Sequence, residues 1–406
     1  MSRNTRLDHL SSEDVFFTRI LKELRDFCEK MFDQKNKQAT KLELKRKLAQ
    51  SLGQVLVELC ERVVVELDTE PNIVETESVC YVFGDIHGNL QDIYDYEKLF
   101  WGSFQPNANY MFIGDFVDRG EYSVEVVVYL FCLKMLFPQQ FCLIRGNHEI
   151  REINKDYTFL KECQTKYGCE QGNMVYNKFN ICFESLPLAA LIDKSIFCCH
   201  GGVPKGGKYP ISYREIMDVP KPLVDPNKDS QIAQTMLWND PIESRASFND
   251  STEDELRSKG IEFVPNRARL TGWYFTAQAA KKFLKSNGWS YMIRAHEAVQ
   301  KGYRLTSGER VITIFSSSNY NGMRNTTACV RVDLKTIQII LIKIPPQINH
   351  ISHIKEDSRF EVRQSKYRKP KSWIKIGPIF ANNITDSDKS FDIEIYESID
   401  KYFAFN

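Results

Sequence analysis

Five short stretches of the 406-residue chain end in residues suited to acid–base and metal chemistry. Gly84-Asp-Ile-His-Gly88 offers Asp85 and His87, and Gly114-Asp-Phe-Val-Asp-Arg-Gly120 offers Asp115, Asp118 and Arg119. Arg145-Gly-Asn-His-Glu149 adds Asn147, His148 and Glu149, His200-Gly-Gly202 adds His200, and Arg294-Ala-His296 adds His296. Of the seven histidines in the chain, four stand in these stretches. A lone histidine after a strand is ordinarily a satisfied structural residue. Four of them gathered with carboxylates and an asparagine would be costly to bury without a compensating cation. Mixed Asp, His and Asn donors suit divalent ions such as Mn, Fe or Zn rather than a thiolate-selected site. Two ions sharing one carboxylate need about six or seven protein ligands, and in such pairs the ions lie ~3.5–4 Å apart. Glycines at 84, 114, 146 and 201 flank the donors and permit tight turns there.

Each stretch follows a short apolar run, at 79–83, 110–113, 141–144, 196–199 and 292–293, and such runs read as buried strands. Helical patterns at 90–100 and 122–137, the second stopped by Pro138, separate the first three runs. Strand–helix–strand–helix–strand at this pitch predicts βαβαβ units of an α/β fold with right-handed crossovers. In such sheets ligands bind at the carboxyl ends of the strands, where every cluster falls. Residues 12–65 read as helical: Phe16, Ile20, Leu24 and Cys28 share one face, and Leu52, Val55, Leu56, Leu59 and Val63 repeat the stripe. The charged run 41–47 reads as a solvated helix face. The expected organisation is a helical region at 1–70, a catalytic domain at 71–346 and a loosely ordered C-terminal extension at 347–406.

Lys plus Arg total 54 against 53 for Asp plus Glu, which argues against a nucleic-acid partner bound through a strongly basic face. The uncharged run 126–133 falls far short of the ~20 residues that span a bilayer, so no membrane partner is expected. The 11 cysteines form no Cys-x-x-Cys pair, and the N-terminus lacks a secretory pattern. An intracellular location, cytoplasmic or nuclear, is the expectation.

In order and wording, the five stretches resemble the signature set of the phosphoprotein (PPP) family of Ser/Thr protein phosphatases. The resemblance spans roughly residues 58–346 and includes Leu237-Trp-Asn-Asp-Pro241 and Ser316-Ser-Ser-Asn-Tyr320. The pattern at Ile153-Asn, Tyr157, Glu162-Cys163 and Tyr167-Gly168 is similar to the type 1 and type 2A branch, of which the chain would be a divergent member. The resemblance implies the calcineurin-like metallophosphoesterase fold, a central β-sandwich flanked by helices. It implies two divalent ions, manganese as assayed and iron or zinc natively, one on Asp85, His87 and Asp115, the other on Asp115, Asn147, His200 and His296. Hydrolysis of phosphoserine and phosphothreonine would proceed by direct attack of a hydroxide shared by the ions. His148 would protonate the leaving oxygen, with Asp118 orienting its ring. Arg119, Asn147, Tyr320 and a second arginine would contact the phosphate. Arg269 is the best match for that arginine, although Leu270 follows it where the family carries glycine, and Arg267 is its rival. Asp240 would support a histidine or a water, against the alternative of a surface loop position. The implied partners are phosphoprotein substrates and regulatory subunits. The other readings are a nucleotidase or dinucleoside-polyphosphate hydrolase on the same fold, and an inactive scaffold, which would have lost at least one ligand.

Overall fold

Alternate residues of the central strands face different apolar layers, and this period of two organises the molecule. The computed structural model describes residues 12–33, 35–102, 107–242, 253–343 and 392–400. The N-terminal helical region forms three helices: α1 (Ser12–Met31), α2 (Gln38–Gly53) and α3 (Leu56–Thr69). Then follow β1 (Ile73–Thr76), β2 (Cys80–Phe83), α4 (Leu90–Tyr96), β3 (Asn109–Phe112), α5 (Ser123–Leu136) and β4 (Phe141–Leu143). A π-helical turn, Glu97–Trp101, completes the helical stretch read at 90–100. Beyond β4 lie α6 (Arg151–Asp156), α7 (Phe159–Tyr167), α8 (Cys169–Glu184), β5 (Ala189–Ile192) and β6 (Ile196–Cys199). The remaining strands are β7 (Asp240–Pro241), β8 (Phe263–Pro265), β9 (Trp273–Phe275), β10 (Tyr291–Arg294), β11 (Tyr303–Thr306), β12 (Val311–Ile314), β13 (Thr327–Val332), β14 (Thr336–Lys343) and β15 (Asp392–Asp400).

Two six-stranded sheets face each other, in the orders β1-β5-β6-β10-β12-β11 and β15-β14-β13-β2-β3-β4. Cys80, Val82, Met111 and Ile113 of one sheet meet Cys198, Ile293, Ile312 and Ile314 of the other in the layer between them. The alternate residues Tyr81, Phe83, Tyr110 and Phe112 face outward, into a cluster with α1, α3, α5 and α8. The outer face of the other sheet is covered by Gln231–Trp238 and Ala277–Asn287. The chain therefore forms an α/β sandwich of two mixed sheets between layers of helices. Helix α5 is apolar all round from Val126 to Leu133 and buried throughout, as a helix without a polar face must be. Its flanking charges are paired, Glu125 with Lys166 and Lys134 with Glu70. Among the described residues no helix is long and apolar enough to cross a membrane.

The five apolar runs coincide with β2, β3, β4, β6 and β10 to within a residue or two. Strands β2, β3 and β4 pair in parallel, as do β6, β10 and β12, which places the carboxyl ends of each group at one edge. The C-terminal extension requires a correction. Residues 392–400 form β15, antiparallel to β14, so part of that segment extends the sheet, and β14 is not its edge. The rest of 344–406, including the basic run 368–375 and the domain limit at Pro346, lies outside the described residues.

Candidate active site

Each chemical stretch occupies the turn that leaves a parallel strand, and the turns are forced together by contacts only glycine allows. A Cβ on Gly114 would lie 2.4 Å from the Gly146 backbone, and one on Gly146 would lie 2.3 Å from the Asp115 nitrogen. His87, Asp115, Asp118, Arg119 and His296 all adopt positive φ, between 48° and 71°. Such conformations cost about 1–3 kcal/mol each and persist only where the surroundings impose them. Glu149 is a principal constraint, because its buried carboxylate accepts the amide N–H groups of Asp115, Phe116 and Gly146 at 2.8–2.9 Å. From sequence Glu149 has no assignable role, because an acid two residues after Asn147 has no meaning until the turns meet.

Two groups of buried donors result. In the first, His87 Nδ1 donates to the Val117 carbonyl at 2.9 Å, which leaves Nε2 as a lone pair in the neutral ring. That Nε2 lies 3.7 Å from Asp85 Oδ2 and 3.5 Å from Asp115 Oδ2. In the second, His200 Nδ1 donates to the Ile113 carbonyl at 2.9 Å. Its Nε2 faces Asn147 Oδ1 at 2.9 Å, His296 Nδ1 at 3.2 Å and Asp115 Oδ1 at 3.3 Å. Asp115 thus turns one oxygen to each group. The backbone N–H of His296 donates to Asp85 Oδ1 at 2.8 Å and ties the groups together.

Converging lone pairs repel unless a cation sits among them, so the donor chemistry fits two divalent ions. Burial and the charge of Asp115 push Asp85 up to about 6, and burial takes His87 down to about 3. Burial opposes the charge of Asp115 too, yet the imidazoles of His200, His148 and His87 hold it well below the usual carboxylate range. Burial and the charge of Arg269 hold His296 well below the ordinary imidazole value, and its Nε2 is buried with no hydrogen-bond partner.

Beside these groups His148 Nδ1 lies 2.6 Å from Asp118 Oδ2, and the other Asp118 oxygen accepts the amide N–H groups of Thr158 and Phe159. Burial works against a charged His148, but Asp115 and the bond to Asp118 raise its pKa above the ordinary value. Its carbonyl accepts from Asn154 Nδ2 at 3.1 Å. Arg119 is exposed and lies over the Tyr157 ring at 4.3 Å, while Tyr320 stacks on His87 at 5.3 Å. All eleven sequence-derived site residues therefore fall in this neighbourhood. Arg269 donates to Asp240 and, at 3.0 Å, to the His296 carbonyl, whereas Arg267 is exposed on the same loop. Asp240 is not a surface position: it is buried between Arg269, Arg294 and Asn266, and 4.0 Å from His296 Nε2. It therefore anchors two guanidinium groups beside His296. Tyr157, Thr158 and Arg294 were assigned no role from sequence, since nothing in their types announces a contact across the fold.

Comparison with known proteins agrees with this geometry. Residues 80–300 match the profile of the calcineurin-like phosphoesterases. Over 264 residues the chain is 36% identical to the serine/threonine-protein phosphatase 6 catalytic subunit of Caenorhabditis elegans, an overlap of 65% of this chain and 72% of that protein. The fold superposes with a TM-score of 0.59 and 29% identity on a protein serine/threonine phosphatase from Saccharomyces cerevisiae with similarity to human phosphatase PP5, covering 70% of this chain and 83% of that one. With its donor groups intact and its strands in this order, the chain belongs to the calcineurin-like phosphoesterases, in the branch of the serine/threonine protein phosphatases.

Proposed function

We propose that the protein hydrolyses phosphoserine and phosphothreonine monoesters of other proteins, using divalent ions held by Asp85, His87, Asp115, Asn147, His200 and His296. The observation that carries this reading is the convergence of His200 Nε2, Asn147 Oδ1 and Asp115 Oδ1, within 3.3 Å, beside the His148–Asp118 pair. Bound there, two divalent ions acidify water and neutralise phosphoryl charge; manganese, iron and zinc all suit these donors. The chain's own residues supply the rest. Arg119 presents a planar fork to the phosphoryl oxygens, and Arg269 and Tyr320 stand at the same rim. His148, held by Asp118 through Nδ1, carries the transferable proton on Nε2. The bond from phosphorus to the seryl or threonyl oxygen breaks, that oxygen takes the His148 proton, and water supplies the fourth oxygen of the released phosphate.

Regulatory subunits are proposed partners, bound away from the cleft on the N-terminal helices or the C-terminal segment, because a generic phosphate site cannot itself choose substrates. Free thiols at the described cysteines fit an intracellular compartment. The test is a side-by-side assay of manganese-loaded protein on phosphothreonine peptides and on dinucleoside polyphosphates. Phosphate release from the peptides is expected, and His148→Ala should lower turnover ~10²–10⁴-fold with metal content unchanged. Turnover of the dinucleotide alone would replace this reading with the polyphosphate hydrolase.

A further inference from the structure

Arg119 is gripped at both ends by two residues that belong to none of the five chemical stretches. Its backbone lies in the left-handed region at φ 71°, directly after Asp118 at φ 70°. Side-chain-bearing residues avoid that region, so two in succession need an external hold. The Arg119 amide N–H donates to Thr158 Oγ1 at 2.9 Å. The Thr158 amide donates in turn to Asp118 Oδ1 at 3.0 Å, so one residue braces both halves of the turn. At the far end, the Arg119 guanidinium rests 4.3 Å above the ring of the preceding residue, Tyr157. Thr158 and Tyr157 are both exposed, so burial does not explain their contacts.

We propose that Thr158 is a positioning residue, whose hydroxyl fixes the Arg119 backbone so that the guanidinium, stacked on Tyr157, meets the phosphate group in one orientation. The proposal deepens the phosphatase reading, on which its substrate rests, but the anion itself is also the reaction's product. A guanidinium fork binds two phosphoryl oxygens only when its plane is aligned, and alignment depends on where the chain releases the side chain. Valine has the shape of threonine and no hydroxyl, so Thr158→Val removes the bond to Arg119 together with a long 3.5 Å contact from the hydroxyl to Asp118 Oδ1. The Thr158 and Phe159 amides, at 3.0 and 2.8 Å, would still hold the same Asp118 oxygen, and kcat reports separately on the proton donor. Serine restores the acceptor.

The experiment compares manganese-loaded wild type, Thr158→Val and Thr158→Ser by calorimetric titration with inorganic phosphate and by kinetics on a phosphothreonine peptide. For Thr158→Val the phosphate Kd and the peptide KM should rise together, roughly five- to tenfold, with kcat and metal content close to wild type. Thr158→Ser should behave as wild type. An unchanged phosphate Kd in Thr158→Val, or a serine variant as weak as the valine one, would overturn the assignment. So would a fall in kcat at constant Kd, which would move the role to the Asp118–His148 pair. A wild type that binds phosphate yet leaves phosphopeptides intact would count against the proposed activity, while the binding titration would still judge Thr158.

Discussion

At the scale of single residues, the centre depends on groups that hold ligands as much as on the ligands. Glu149 satisfies three amides that shape the turns of Asp115 and Gly146. A glutamine there has one accepting oxygen and must aim its NH₂ at an amide N–H. Glu149→Gln is expected to weaken manganese affinity by ~10–100-fold, the usual effect of losing a ligand's support, and equilibrium dialysis against the metal checks it. Asp92 sets a different expectation. It is fully buried and accepts from the Ser318 amide, the Ser318 hydroxyl and Asn89, yet burial outweighs these donors and pushes its pKa up to about 7. An unfolded aspartate titrates near ~3.9, so between that value and about 7 the folded chain holds a proton that the unfolded chain has lost. Stability from this group is present at the acid end and is lost as pH rises through about 7. Asp92→Asn, which cannot titrate, should flatten that part of the stability profile in urea melts. An unchanged slope would show that Asp92 is ionised throughout. The proposed ligands were legible in the sequence because each is chemically conspicuous and follows a strand. Glu149, Thr158 and Asp92 were not, because their work is a hydrogen bond to a residue far along the chain.

At the scale of elements, the strands that carry the site were the readable ones. β2, β3, β4, β6 and β10 are buried on both faces, so their apolar runs stand out against polar turns. β1 and β11, at the edges of one sheet, are only partly buried and their sequences carry weaker signals, whereas β4, also at an edge, is buried on both faces. The short strands β7, β8 and β9 form a separate small sheet whose burial pattern alternates too little to be read. β15 covers the edge of β14, a long strand rich in isoleucine. Removing residues 344–406 would bare the backbone N–H and C=O groups of β14, and bare edges pair with other chains. The truncated protein is expected to melt at lower temperature and to self-associate in sedimentation or light scattering. A monodisperse product with wild-type melting would show that β15 contributes nothing to the sheet.

At the scale of the whole molecule, the N-terminal helices and the catalytic sheets are parts of one packed body. Phe17, Leu24, Leu56 and Val63 share an apolar cluster with α5, α8 and the outer face of β2 and β3. Those same helices reach the turn that follows Arg119: Lys45 pairs with Glu121, and Phe27 and Phe32 flank the Tyr122 ring. The scaffold therefore bears on the site from behind, and its purpose is to keep eight or so polar groups together that would otherwise separate. That makes the paired-ion centre the claim on which the account depends, and crystals grown with manganese test it most directly by anomalous diffraction at the metal's edge. The account predicts two peaks per chain on either side of Asp115, one among Asp85 and His87, the other among Asn147, His200 and His296. A single peak, or none, with the four histidines turned away from one another, would contradict it.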